Sequence, residues 1–218
     1  MSEARTTMTV RAVLFDMDGT LVDSTAVVEQ VWGEFAWRHG NDPAELLAYA
    51  HGRRATETMA VFGSPGIDID AEADALIKRE IALAPGVAEV PGAAAFVASL
   101  PAESIALVTS APGPLAAARL AAVGIPTPSV VVAAEDVTIG KPDPQGYLAA
   151  ATRLGVRPED AVVFEDADAG LRAGLAAGMR VVVVGAYEGD VTSGLPRIRD
   201  YRAAAVERAA DGTLTITL

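Results

Sequence analysis

Five short, nearly continuous apolar runs punctuate the chain: Ala12–Phe15, Ile105–Thr109, Val130–Ala133, Ala161–Phe164 and Arg180–Val184. Each stops at a turn or a polar residue. A run without alternating polar positions predicts a strand buried on both faces, as in a parallel sheet. Helical periodicity fills most of the intervals. Pro114 opens "PLAAARLAAVG" as a first-turn proline, and Gly124 closes it. Asp143–Pro144 starts "DPQGYLAAATRLG", which ends at Gly155. In "ADAGLRAGLAAG" the glycines 170, 174 and 178 recur every four residues. They cost helix propensity, so the spacing predicts a face packed closely on the sheet. Strand–helix alternation of this kind predicts an open, mostly parallel α/β sheet with helices on both faces.

Between Ser24 and Pro91 the alternation stops. "TAVVEQVWGEFAWRHG" places Val27, Val28, Val31, Trp32 and Phe35 on one helical face, with Gly40 as its stop. "AEADALIKREIAL" is a second amphipathic helix, and "DPAELLAYAHGRRATETMAVFG" reads as one or two more. The pattern predicts an all-helical insertion, residues 24–90, in a core built from residues 1–23 and 91–218. Hinges are expected near Val22–Ser24 and Pro85–Pro91. The closing "DGTLTITL" alternates at period two after an Asp211–Gly212 turn, which predicts a small hairpin or edge strand.

Composition narrows the partners. The formal net charge of −12 repels a phosphate polymer, so nucleic acid is not an expected partner. No apolar run is long enough to span a bilayer, so no membrane partner is expected. The opening "MSEARTTMTV" has acid and no apolar centre, unlike a secretory leader. Without cysteine, disulfides and thiolate metal sites are excluded, and a cytoplasmic location is expected. A monomer is the expected state.

Polar clusters follow the apolar runs. Asp16 and Asp18 follow the first, Thr109 and Ser110 the second, and Glu165, Asp166 and Asp168 the fourth. Gly140–Lys141–Pro142 lies in a loop after another. The carboxyl edge of an open α/β sheet is where ligands bind. Two carboxylates one residue apart repel unless a cation lies near. Oxygen donors without cysteine or nearby histidine suit Mg²⁺ better than Zn²⁺. Taken singly, D-x-D-G also reads as a surface turn, Thr–Ser and Glu–Asp as helix caps, and Lys141 as a solvated lysine. Asp168 reads as a cap of the following helix or a support for Asp166.

"DMDGT", "LVTS", "GKPDP" and "VVFEDADAG", in this order and at these distances, resemble the four motifs of the haloacid dehalogenase superfamily, phosphatase branch. The resemblance implies a Rossmann-like core with a helical cap. It implies Asp16 as the nucleophile that forms an aspartyl-phosphate and Asp18 as the general acid and base. It further implies that Thr109 and the Ser110 backbone bind phosphoryl oxygens and that Lys141 pairs with Asp16 and phosphate. Gly19 and Thr20 complete the turn. The implied ligands of Mg²⁺ are Asp16, the Asp18 carbonyl and Asp166, with Glu165 a ligand or a supporting group.

In finer detail the chain resembles bacterial sugar and hexitol phosphatases and fungal 2-deoxyglucose-6-phosphate and glycerol-phosphate phosphatases. That implies a small phosphorylated sugar or polyol as substrate. Ala111–Pro112 departs from these relatives, which commonly continue with glycine and a polar residue. Substrate choice is expected in the insertion, where His51 and Arg54 of "HGRR" and Trp32 are the candidate contacts. The nearest alternatives are a β-phosphoglucomutase-like phosphomutase and a phosphoglycolate-type phosphatase. Thr20 after D-x-D-G leans towards hydrolysis, and Ala55 stands where the mutase resemblance would want an arginine.

Overall fold

The computed structural model describes residues 6–218. Part of the opening segment read above for a leader, residues 1–5, lies outside the described residues.

A short strand β1 (Thr7–Val10) leads into β2 (Ala12–Phe15) and, after a tight loop, β3 (Val22–Asp23). Four helices follow: α1 (Thr25–Arg38), α2 (Pro43–Ala50), α3 (Ala55–Phe62) and α4 (Ile69–Leu83). The chain returns through β4 (Ala88–Glu89), α5 (Ala93–Ser99) and β5 (Ile105–Val108). Then come α6 (Gly113–Ala122), β6 (Val130–Val132), α7 (Gln145–Leu154), β7 (Ala161–Glu165), α8 (Asp168–Ala176) and β8 (Arg180–Val184). β9 (Arg197–Ile198), β10 (Ala205–Arg208) and β11 (Leu214–Thr217) close the chain.

The main sheet has the order β6-β5-β2-β7-β8-β9, and its paired strands run parallel. β2 shows why the apolar runs do not alternate. Val13 and Phe15 face one core cluster, with Phe96 and Val97 of α5 and Leu120 of α6. Ala12 and Leu14 face the other, with Tyr147 of α7 and Leu171 of α8. Successive side chains point to opposite faces, and both faces are covered by helices. One face carries a ring cluster in which Phe15 stacks on Phe164 at 5.4 Å and Phe96 on Tyr201 at 5.3 Å.

The sequence expectation for the sheet agrees with these strands to within a residue. β9 carried no signal, because two residues show no period. The "DGTLTITL" segment becomes β11, which forms the expected hairpin with β10 but lies in the middle of a separate antiparallel sheet β1-β11-β10 rather than at an edge. The three spaced glycines divide in role. A Cβ at Gly170 would lie 1.4 Å from Glu165 Oε1, and one at Gly174 would meet Val181 at 3.0 Å. Gly178 lies past the helix with φ +76°, where it lets the chain turn.

α1 to α4 pack on one another around Val31, Trp32, Phe35, Leu46, Met59 and Leu76, apart from the sheet's own clusters. The chain leaves the core along β3 and returns along β4, and the two pair antiparallel, Val22 with Glu89 and Asp23 with Ala88.

Candidate active site

Register gathers the site. Phe15 lies beside Leu107 on one flank and Phe164 on the other, so the residues after β2, β5 and β7 emerge at one edge. β2 is also where the strand order reverses, the place at which an open α/β sheet leaves a crevice. Asp16 is anchored there by its N–H to the Phe164 carbonyl at 3.1 Å.

The loop after Asp16 folds on the Met17 carbonyl, which accepts the N–H groups of Thr20, Leu21 and Val22. Gly19 adopts φ +79°, and a Cβ there would sit 1.9 Å from Asp166 Oδ2. Only glycine meets both demands. Gly19→Ala should therefore push the Asp166 carboxylate away and lower any metal-dependent turnover at this site by about a hundredfold, the loss expected from misplacing a reacting group by an ångström. Steady-state assays over a range of Mg²⁺ concentrations would check this, with the required metal concentration rising.

Lys141 is buried and binds three oxygens: Asp16 Oδ1 at 2.5 Å, Glu165 Oε1 at 2.7 Å and the Val108 carbonyl at 3.1 Å. Burial alone would push its ammonium down, but Asp16 and Glu165 hold it well above the ordinary lysine value. Glu165 is fully buried and saturated with donors. Its Oε1 takes Lys141 and Tyr147, and its Oε2 takes the N–H groups of Asp166 and Ala167 at 2.8 and 2.9 Å. This carboxylate props the lysine and the turn after β7.

Asp166 is held differently. Its carboxylate receives one long bond from Thr20 at 3.3 Å. Burial, then the charges of Glu165 and Asp16, push it well above the usual carboxylate range. Asp16 is raised to about 7, by burial first, with Lys141 opposing. One oxygen from each of Asp16, Glu165 and Asp166 fits within a 4.8 Å span. Three carboxylates sharing one ammonium leave uncompensated negative charge, and the donors are all oxygen, so the residues fit a Mg²⁺ ion. Asp16 and Asp166 have the free lone pairs to hold it.

Asp18 is held from both sides, with Oδ1 accepting from Ser24 at 2.7 Å and Oδ2 from Arg119 at 2.7 Å. Arg119 also reaches Glu80 of α4 at 3.1 Å. The sequence reading missed these partners. Their signal is a charge on an apolar stripe: Arg119 falls four residues after Leu115 in α6, and Glu80 four after Leu76 in α4. Opposite charges on two buried faces pair.

A cavity of about 100 Å³ opens above Asp16, between the sheet edge and the helices. Thr109, Ser110, His51 and Trp32 line it, as does Arg53. Thr109 Oγ1 accepts the Ala111 N–H at 3.0 Å, and Ser110 Oγ donates to the Gly52 carbonyl at 2.8 Å, tying sheet edge to helices. Arg54 is not among the lining residues. Its guanidinium binds Glu57 and the carbonyls of Val137 and Thr138, a strut between the helices and the loop before Lys141. Its neighbour Arg53 is the arginine at the cavity, stacked 4.6 Å over Tyr49. Asp168 neither caps α8 nor touches Asp166, but pairs with Arg172 and Tyr187.

A sheet-edge aspartate clamped by a lysine, a glycine turn and a second acidic pair is the motif set that comparison with known proteins decides. A model of haloacid dehalogenase-like hydrolases matches residues 10–178. The chain belongs to this family. Among relatives of the hydrolase, hexitol phosphatase A of Escherichia coli is 44% identical over 183 residues, covering 82% of this chain and 85% of that protein. The 2-deoxyglucose-6-phosphate phosphatase 1 of Saccharomyces cerevisiae is 32% identical over 200 residues, covering 82% and 81%. The crystal structure of CbbY from Rhodobacter sphaeroides in complex with phosphate superposes with a TM-score of 0.75 at 25% identity, covering 89% of the hydrolase and 96% of that chain.

Proposed function

We propose that this haloacid dehalogenase-like hydrolase is a Mg²⁺-dependent phosphatase of small phosphorylated sugars or polyols, and that residues 24–90 form its cap. The reading rests on one observation above all: Asp16, fixed by Lys141, faces a cavity that Asp18 also lines. The relatives named hexitol and deoxyglucose-phosphate phosphatases support the substrate class.

Asp16 attacks phosphorus, and the phosphorus–oxygen bond to the sugar or polyol breaks as an aspartyl-phosphate forms. Asp18 gives its proton to the departing alkoxide. It then takes a proton from the water that attacks the aspartyl-phosphate, which returns Asp16 and releases inorganic phosphate. Thr109 and the backbone of Ser110 meet the phosphoryl oxygens, and Lys141 keeps Asp16 aimed. Asp16 and Asp166, with the Asp18 carbonyl, would hold Mg²⁺, which when bound neutralises phosphoryl charge. Glu165 serves by holding Lys141 and the Asp166 turn.

Trp32, His51 and Arg53 contact the leaving group, and Arg54 fastens the cap to the core. No helix among the described residues is long and apolar enough to cross a membrane. The proposal extends to a cytoplasmic monomer acting on free metabolites without a nucleic-acid partner, the last point supported by the net charge of −12.

Phosphate release from hexose, hexitol, glycerol and glycolate phosphates, with Mg²⁺ and with EDTA, tests the reading. Mg²⁺-dependent release favouring sugar or polyol esters supports it. Conversion of glucose 1-phosphate to its 6-isomer without release would replace it with a mutase, although uncharged Ala55 lines the cavity. Preference for phosphoglycolate would move the substrate class.

The raised carboxylates also set a pH dependence. Asp16 ionises at about 7 in the fold against 3.8 in a free chain, so without metal its contribution to stability is full below 3.8 and lost as pH rises through 7. Protons compete with the metal for the same oxygens. Saturating Mg²⁺ should therefore raise the melting temperature more at pH 8 than at pH 5.5. Equal shifts at both pH values would contradict this electrostatic account.

A further inference from the structure

Arg119 joins two elements that the sheet does not join. It rises from α6 of the core, is 2% exposed, and divides its guanidinium between Asp18 of the core and Glu80 of helix α4. Glu80 is itself only 5% exposed. All three line the cavity above Asp16. The remaining nitrogen of Arg119, Nε, is buried without a partner. A buried guanidinium needs its anions, and losing one of a buried pair leaves the other uncompensated. If α4 moves away, Arg119 loses Glu80 and with it the second of its two fixed points.

The geometry points to Arg119 as a positioning residue for Asp18. It sets the direction of the carboxylate, and Glu80 sets Arg119, so that seating the helices and aiming the proton donor become one event. This rests on the reading of Asp18 as the group that protonates the leaving oxygen. Burial pushes the Glu80 carboxyl up to about 7, and Arg119 opposes that shift, so the arginine is the neighbour that favours its charged form.

A merely structural arginine would harm every substrate alike. A residue that aims a proton donor harms only substrates whose leaving group needs the proton. Alcohol or phenol release should be measured in single turnovers with the Mg²⁺-loaded enzyme in excess, from glycerol phosphate and from p-nitrophenyl phosphate. Arg119→Met should slow the maximal rate from glycerol phosphate by about a hundredfold while changing the p-nitrophenyl ester less than about threefold. Arg119→Lys should recover part of the difference, and Glu80→Gln should show the same selectivity with a smaller loss.

Equal losses on both esters, a loss confined to KM, or unchanged rates in a variant that melts like the wild type would overturn the proposal. Should Arg119→Met fail to fold, Arg119→Lys and Glu80→Gln decide by the same selectivity. Failure of the underlying reading looks different: the wild type then releases phosphate from no ester, or Asp18→Asn leaves alcohol release unchanged.

Discussion

Asp16→Asn should end phosphate release while leaving the fold intact. The expected fall in kcat is on the order of 10⁴-fold or more, the scale seen when a covalent nucleophile is lost. The amide has the shape of the carboxylate and can still accept from Lys141, so the packing around β2 is kept. The second half of the expectation concerns stability. The fold holds the Asp16 pKa at about 7, above its free value, chiefly because burial disfavours the charge. Ionising it therefore costs stability from pH 3.8 upward through 7, and asparagine removes that cost. In EDTA the variant should melt above the wild type at pH 8, and the gap should close by pH 4. Phosphate assays and melts at both pH values check the two halves. Turnover within about tenfold of wild type would remove Asp16 from the nucleophile's place.

Lys141→Met should be the most damaging single change to the fold. It removes the one ammonium shared by Asp16 and Glu165, both buried. Deleting one partner of a buried pair costs about 3–5 kcal/mol, since the other stays uncompensated. For a chain of this size that is a fall of roughly 10 °C in melting temperature. The fold raises the lysine's pKa, so its charge is present throughout the neutral range and lost only above it. The pH dependence of the penalty comes instead from Asp16, which protonates on the way down through pH 7. The loss should be larger at pH 8 than at pH 5, and phosphate release should fall with it. Melts of the variant across that range, in EDTA, would expose an error if the penalty were flat.

The fold was legible where burial is total. β2, β5 and β7 read from sequence because a strand covered on both faces has no polar position to break its run. The acidic and hydroxyl residues could be placed at one edge for the same reason, since each follows such a strand directly. Arg53 and Arg54 show the limit of this reading. Adjacent residues in a turn face different ways, and only the turn's geometry sends Arg53 to the cavity and Arg54 to the carbonyls of residues 137 and 138. Glu165 shows another. Its residue type fits a metal ligand, and only its four donors reveal an acceptor already filled. Arg119 and Glu80 were hidden because one charge on an apolar stripe is tolerable, and the pairing that explains both spans 39 residues.

The two crossings into and out of the helical unit run side by side, Val22 against Glu89. Neighbouring strands lie about 5 Å apart, a gap that one tight turn can close. Everything between them hangs from the core as a pendant inserted at one point, and the sheet's hydrogen bonds do not pass through it. Such an architecture separates two inheritances. On the proposed reading a new alcohol is accommodated in the pendant, while β2 and β7, which place Asp16 and Asp166, and the loop that carries Lys141 stay as they are.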